Sequence, residues 1–164
     1  MIFAVLTGPV IAVRDTRYLD DIKEIRDRKL SIFKKLMATR AYILSWDHIE
    51  ALNRIDLEFD RQRKGEKAVI EAWKEYLDLL GNKSLSPEQW AVKRIDLLVE
   101  LLHKMALVLK YDFDKTHIRN SSYSPLAHGE LEEQQALIRR GIIQILDGSR
   151  PVPMFVTNLP VKEP

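Results

Sequence analysis

SPEQWAVKRIDLLVELLHKMALVL, residues 86–109, begins with a complete helix start. Ser86 offers a capping hydroxyl, Pro87 takes the first helical position, and Gln89 stands where a capping box requires it. Beyond them, Ile95, Leu97, Leu98, Leu101, Leu102, Met105, Leu107 and Val108 occupy more than one side of a helix. A helix that is apolar on several sides is a buried one. The centre of the chain is therefore expected to be a helix covered by other helices.

On its N-terminal side the covering elements are readable. A helix over residues 66–80 carries Val69, Trp73, Tyr76, Leu77 and Leu80, and Gly81-Asn82 predicts a left-handed C-terminal cap. The charged stretch 60–65 reads as a loop. Before it, Ser45 caps a helix whose apolar face is Ile49, Leu52, Ile55 and Phe59, with Asp47 in the first turn. A long helix runs from about Pro9 to about Tyr42. On the C-terminal side, residues 111–128 sustain no period and predict a loop. A last helix over 129–146 shows Leu131, Leu137, Ile138, Ile142 and Ile145, and Gly148 ends it. The tail from Arg150 holds four prolines and predicts an extended arm on which Val152, Met154, Phe155 and Val156 dock. Trp46, Trp73 and Trp90 are expected in the core. The pattern predicts an all-α fold: a bundle of about five helices with a long protruding N-terminal helix and an extended C-terminal arm. It divides into an apolar segment and charged stalk over 1–29, a helical bundle over 30–148, and a Pro-rich arm over 149–164.

A sharp change of composition marks the N-terminal end. Residues 1–13 carry no charge, whereas residues 14–29 are mostly charged. Thirteen helical residues reach about 20 Å against a hydrocarbon core of about 30 Å, so this run is short for a span. It lacks the basic region and cleavage site of a secretory signal. Within the charged stretch Tyr18, Leu19, Ile22 and Ile25 recur at three- and four-residue spacing, a narrow stripe of the kind that makes a two-helix seam. Ile11, Tyr18, Ile22 and Ile25 are therefore the expected assembly residues, and a homo-oligomer the expected partner. Membrane contact through residues 1–13 is the second expectation, in a cytoplasmic protein associated with the inner face of a membrane.

Composition narrows the chemistry. With 164 residues the chain suits one domain burying about 70% of its unfolded surface. It has no cysteine, which removes disulfides, thiolate zinc sites and a cysteine nucleophile. Lys and Arg number 26 against 24 Asp and Glu, interleaved rather than gathered on one face, so nucleic acid is not an expected partner. No glycine-rich phosphate loop, nucleophile elbow, zinc helix motif or calcium loop is present. No cofactor and no metal are expected.

Several stretches carry a family resemblance. They are Arg28-Lys29-Leu30-Ser31-Ile32-Phe33-Lys34-Lys35-Leu36-Met37-Ala38-Thr39-Arg40-Ala41, His48-Ile49-Glu50-Ala51-Leu52-Asn53-Arg54-Ile55-Asp56-Leu57-Glu58-Phe59, Tyr111-Asp112-Phe113-Asp114-Lys115, Tyr123-Ser124-Pro125, His128-Gly129-Glu130 and Pro151-Val152-Pro153-Met154. The combination resembles an uncharacterised family of small bacterial and phage proteins, a domain of unknown function. The resemblance implies an apolar N-terminal segment, often a membrane anchor, followed by a basic, charged helix. It implies no reaction.

Two constellations could carry chemistry. In the loop 111–128, His117 and His128 are the candidate acid–base groups, with Asp112, Asp114, Glu132 and Glu133 as partners. Around the second helix, Arg40, Asn53 and Asp56 predict a structural polar network in which Arg40 pairs with Asp56, because polar groups beside an apolar stripe need partners. The expected function is that of a non-enzymatic assembly or binding protein. One alternative is a phage-type counter-defence protein that sequesters a small anionic, nucleotide-like ligand with Arg40, His117, Arg119, Tyr123 and His128. Another is a small hydrolase using the loop histidines.

Overall fold

The computed structural model describes the backbone of residues 3–123 and 126–152, and the side chains of 16–123 and 133–152. It is all-α among these residues. The helices are α1 (Phe3–Thr39), α2 (Trp46–Asn53), α3 (Ile55–Glu58), α4 (Glu66–Gly81), α5 (Pro87–Leu109), α6 (Lys115–Asn120) and α7 (Leu126–Leu146). Five of these are of eight residues or more and two are short. The chain divides into two compact units, Met1–Ser122 and Tyr123–Pro164.

In the first unit α5 is the central helix, as its sequence dictates. Its Ser86 capping box is complete: the Ser86 hydroxyl accepts from the Gln89 amide at 3.3 Å, and Gln89 Oε1 accepts from the Ser86 amide at 3.5 Å. Leu101, Leu102, Met105 and Ala106 are fully buried. Against α5 pack α4 through Val69, Trp73 and Tyr76, the lower half of α1 through Ile32, Phe33 and Leu36, and α6 through Ile118. Helices α2 and α3 close the core with Ala51, Leu52, Ile55 and Phe59.

A buried ion pair fastens α1 to α4. Lys29 Nζ lies 2.6 Å from Glu66 Oε1, and both residues are buried. The second Glu66 oxygen accepts the Asp60 amide at 2.8 Å, and the Lys29 ammonium sits 5.6 Å from the Phe59 ring centre. Each charge thus has a second partner, which a desolvated pair requires. Above this clasp, residues 16–24 of α1 are exposed.

Several local expectations are corrected. The helix expected to run unbroken through Phe59 stops at Arg54, where i to i−3 bonds (Arg54 N–H to the Ala51 carbonyl, Leu57 N–H to the Arg54 carbonyl) separate α2 from α3. The left-handed cap expected at Gly81-Asn82 is absent: Asn82 is extended, and its side-chain oxygen accepts from the Ser84 amide at 2.8 Å, opening a turn instead. A left-handed cap is found instead at the end of α5, on Lys110 (φ 64°). There Lys110 N–H bonds the Leu107 carbonyl and Tyr111 N–H the Ala106 carbonyl, a Schellman closure of α5. The loop expected over 111–128 contains α6, whose N-cap Asp114 accepts the His117 amide at 2.6 Å. Of the tryptophans, Trp73 is buried, but Trp46 is 87% exposed beside the exposed Leu44.

The second unit is built on α7. Gly148 (φ 78°) turns the chain, and Arg150 N–H returns to the Gln144 carbonyl at 2.9 Å. Asp147 Oδ1 accepts from the Ser149 amide at 2.9 Å, and Ser149 holds its carboxyl below the usual range. Leu137, Ile138, Ile142 and Ile145 are exposed. Pro151 and Val152 are exposed, while Met154, Phe155 and Val156 lie outside the described residues.

Candidate functional site

The end of α1, the middle of α5 and α6 line a half-open cavity of about 280 Å³. Its inner wall is aliphatic core: Leu98, Leu102 and Ile118 are each at most 5% exposed. Its other side carries three guanidiniums, those of Arg40, Arg94 and Arg119.

Each arginine is positioned by a different device. Arg40, the first residue past α1, donates from Nε to the Ile118 carbonyl at 3.0 Å and from Nη2 to Ser121 Oγ at 3.1 Å, while Nη1 meets the Met37 carbonyl. It therefore satisfies carbonyls at the ends of both α1 and α6, where a cation is favoured. Burial lowers its pKa from the ordinary arginine value, though a guanidinium keeps its charge. Arg119 pairs with Asp96 of α5, and one turn away Lys115 pairs with Glu100. These two bridges set the register of α6 on α5. Lys115 and then Lys104 hold the Glu100 carboxyl below its usual range.

Arg94 differs. Its guanidinium carbon lies 5.5 Å from the Trp90 ring centre, one helical turn back, and its Nε is buried with no hydrogen-bond partner among the described residues. Its charge reaches two buried groups. Tyr76 is raised by burial and partly offset by Arg94. His48, fully buried, is pushed down to about 4 by burial and by Arg94. The His48 tautomer is set by its neighbour: Thr39 Oγ1 gives its proton to the Lys35 carbonyl at 2.8 Å, so it accepts from His48 Nδ1 at 2.9 Å. Nε2 is left as a bare acceptor, buried without a partner among the described residues.

Of the expected ligand residues, the cavity brings together Arg40 and Arg119 only. His117 stacks on Phe113 with ring centres 5.1 Å apart, the outer layer of an aromatic pile that continues through Tyr111 to Phe33. Tyr123 is 87% exposed and belongs to the second unit. The His128 side chain lies outside the described residues. The pairing of Arg40 with Asp56 is replaced by other bonds: Asp56 accepts from Trp73 Nε1 at 3.0 Å, and Asn53 is exposed. Among the described residues no group of three or more acidic or histidine side chains is arranged to hold a metal. Sequence reasoning missed Arg94. The signal was its spacing, four residues after Trp90 and four before Leu98, which puts a cation in line with the face entering the core.

The second candidate surface is the upper part of α1. Tyr18 is 66%, Leu19 63% and Ile22 46% exposed, and Ile25 is half-buried. The Ile11 side chain lies outside the described residues. No helix of the described residues is long and apolar enough to cross a membrane.

A model of a family of unknown function, DUF6680, matches residues 1–164. Neither a curated protein nor a solved structure matches the chain.

Proposed function

The chain belongs to the DUF6680 family, a family of unknown function, and from its own surfaces we propose a non-enzymatic assembly protein that self-associates through α1. The carrying observation is the continuity of one stripe. Tyr18, Ile22 and Ile25 alternate four and three apart, and the same alternation continues through Lys29, Ile32 and Leu36, which lie in the core. One face of one helix is thus covered by its own domain from Lys29 downward and exposed over residues 16–24.

Charge supports a second copy as the cover. With Tyr18 and Ile25 as d positions and Ile22 as a, Asp21 falls at g and Arg26 at e of the next heptad. In a parallel pair, g of one chain faces that e of the other, so Asp21 of each copy meets Arg26 of its partner. Residues 16–28 span about 20 Å. A seam this short is weak alone, and it lies towards the N-terminal end of α1. That end is also where membrane contact through residues 1–13 would act.

Sedimentation of the full chain tests this. Ile22→Asp should give a folded monomer. Asp21→Arg should weaken association about tenfold, because it sets like charges together, and Asp21→Arg with Arg26→Asp should restore it. Unchanged mass in Ile22→Asp, or a double variant no better than the single, overturns the reading. Vesicle flotation that persists in a monomeric Ile22→Asp chain would replace self-association by membrane attachment.

A further inference from the structure

We propose that the cavity between the end of α1, α5 and α6 is a binding site for a small amphipathic monocarboxylate, held by Arg94 with its chain against Ala41, Ile95 and Leu98. This stands apart from the assembly reading, since none of these residues lies on the upper half of α1.

Three observations define the ligand. The first is size: about 280 Å³ lies at the small end of ligand pockets, which run from about 300 to 1,000 Å³. That suits a small molecule better than a large one. The second is the character of the wall. Apart from the arginines and Ser122 the lining is apolar, with Ala41 and Ile95 at its accessible edge and Leu98 and Val99 behind them, so the body that fits is largely hydrocarbon.

The third observation is the charge balance at the head end. Among the three guanidiniums only Arg119 has a carboxylate, Asp96, at ion-pair distance among the described residues. Two positive charges are left over. Arg40, however, already spends Nε, Nη1 and Nη2 on Ile118, Met37 and Ser121. Arg94 has no carboxylate at ion-pair distance and no partner for its Nε among the described residues. A guanidinium at a cavity edge without a counter-charge favours an anion, and an entering carboxylate supplies one with a charge-assisted bond. One guanidinium with a planar fork suits one carboxylate rather than a polyphosphate.

Calorimetric titration of the full chain with sodium octanoate, below its micellar range, tests the site. Acetate carries the head without the chain, and octan-1-ol the chain without the charge. Octanoate should saturate at one per chain, with acetate and octan-1-ol each weaker by about tenfold or more. Arg94→Gln should weaken octanoate by about tenfold or more while octan-1-ol stays unchanged, and Arg94→Lys should fall between. Ile95 is partly exposed at the edge of the cavity. Ile95→Trp, which fills the space without touching a charge, should abolish binding even if Arg94→Gln does not fold. Octan-1-ol equal to octanoate, no saturable octanoate binding, or unaltered binding in Ile95→Trp overturns the proposal.

Discussion

The two halves of α1 are one helix with one apolar stripe, yet they lead opposite lives. Below Lys29 the stripe is Ile32 and Leu36, both at most 1% exposed; above it Tyr18 and Ile22 are 66% and 46% exposed. Helix propensity and periodicity do not distinguish them. The difference is made by what the rest of the chain places opposite: α2, α3 and α5 pack on α1, and among the described residues the part they cover is the lower half, residues 16–24 being exposed. An amphipathic period therefore reports that a face will be covered, and leaves open by what. In the lower half the cover is the domain itself. In the upper half we assign it to a second copy of the chain.

The division between the halves is held by the Lys29–Glu66 clasp, and removing it should have the largest effect. Lys29→Met leaves the Glu66 carboxylate buried without its cation, at a cost of about 3–5 kcal/mol. Chemical denaturation should show the loss in full. Lys29→Met with Glu66→Leu should recover most of it, because apolar groups of similar size tolerate the same burial. If the single variant is as stable as the parent, the clasp does not secure α1, and the contrast between the halves has another origin.

At the bottom of the helix His48 makes a further anchor through Thr39, and this one depends on pH. Its folded value of about 4 lies below the ordinary histidine value near 6.5. The unfolded chain therefore takes up the proton first as pH falls. The stabilisation is complete above about pH 6.5 and disappears progressively down to about pH 4, a change of roughly 3 kcal/mol. His48→Asn keeps a donor for Thr39 and removes the titration. Denaturation at pH 7 and at pH 4.5 should show the parent losing clearly more stability than this variant between the two conditions. Equal losses would mean that the lower half is not held by a neutral histidine.

Legibility in the sequence divides along the same line between local and distant causes. The capping box of Ser86, Pro87 and Gln89 was legible because all its partners lie within four residues. The core face of α5 was legible because burial on several sides leaves an unmistakable composition. Helix α6 was not: it is six residues long, too short to stand on its own propensity, and it exists because Ile118 is buried and Arg119 finds Asp96. Arg40 was rightly singled out as a cation needing a partner. Two of its partners, the Ile118 carbonyl and Ser121, lie about eighty residues away, out of reach of a local pattern that offered Asp56 instead. Trp46 misled because an aromatic residue in a first helical turn can point away from the face that its own helix buries. Arg94 was overlooked because an arginine in a helix of mixed charge looks like a solvated one until its neighbours are placed.

The smallest expected effect is the sharpest test of the contrast within α1. Leu36→Ala and Ile22→Ala shorten side chains of the same stripe on the same helix. Leu36 is fully buried, so its truncation leaves a cavity and should cost about 2–5 kcal/mol. Ile22 is bare in a single chain, so its truncation should change the stability of the dilute monomer by less than about 0.5 kcal/mol. The two curves should differ in a second way. The Leu36→Ala loss should be independent of protein concentration. The parent should gain stability as concentration rises and pairing sets in, and Ile22→Ala should gain less, because a partner that binds only the folded form stabilises it by mass action. A penalty at Ile22 that persists at high dilution would mean that the upper half is covered within the single chain. The stripe would then be one continuous core, and the case for a second copy would fall with it.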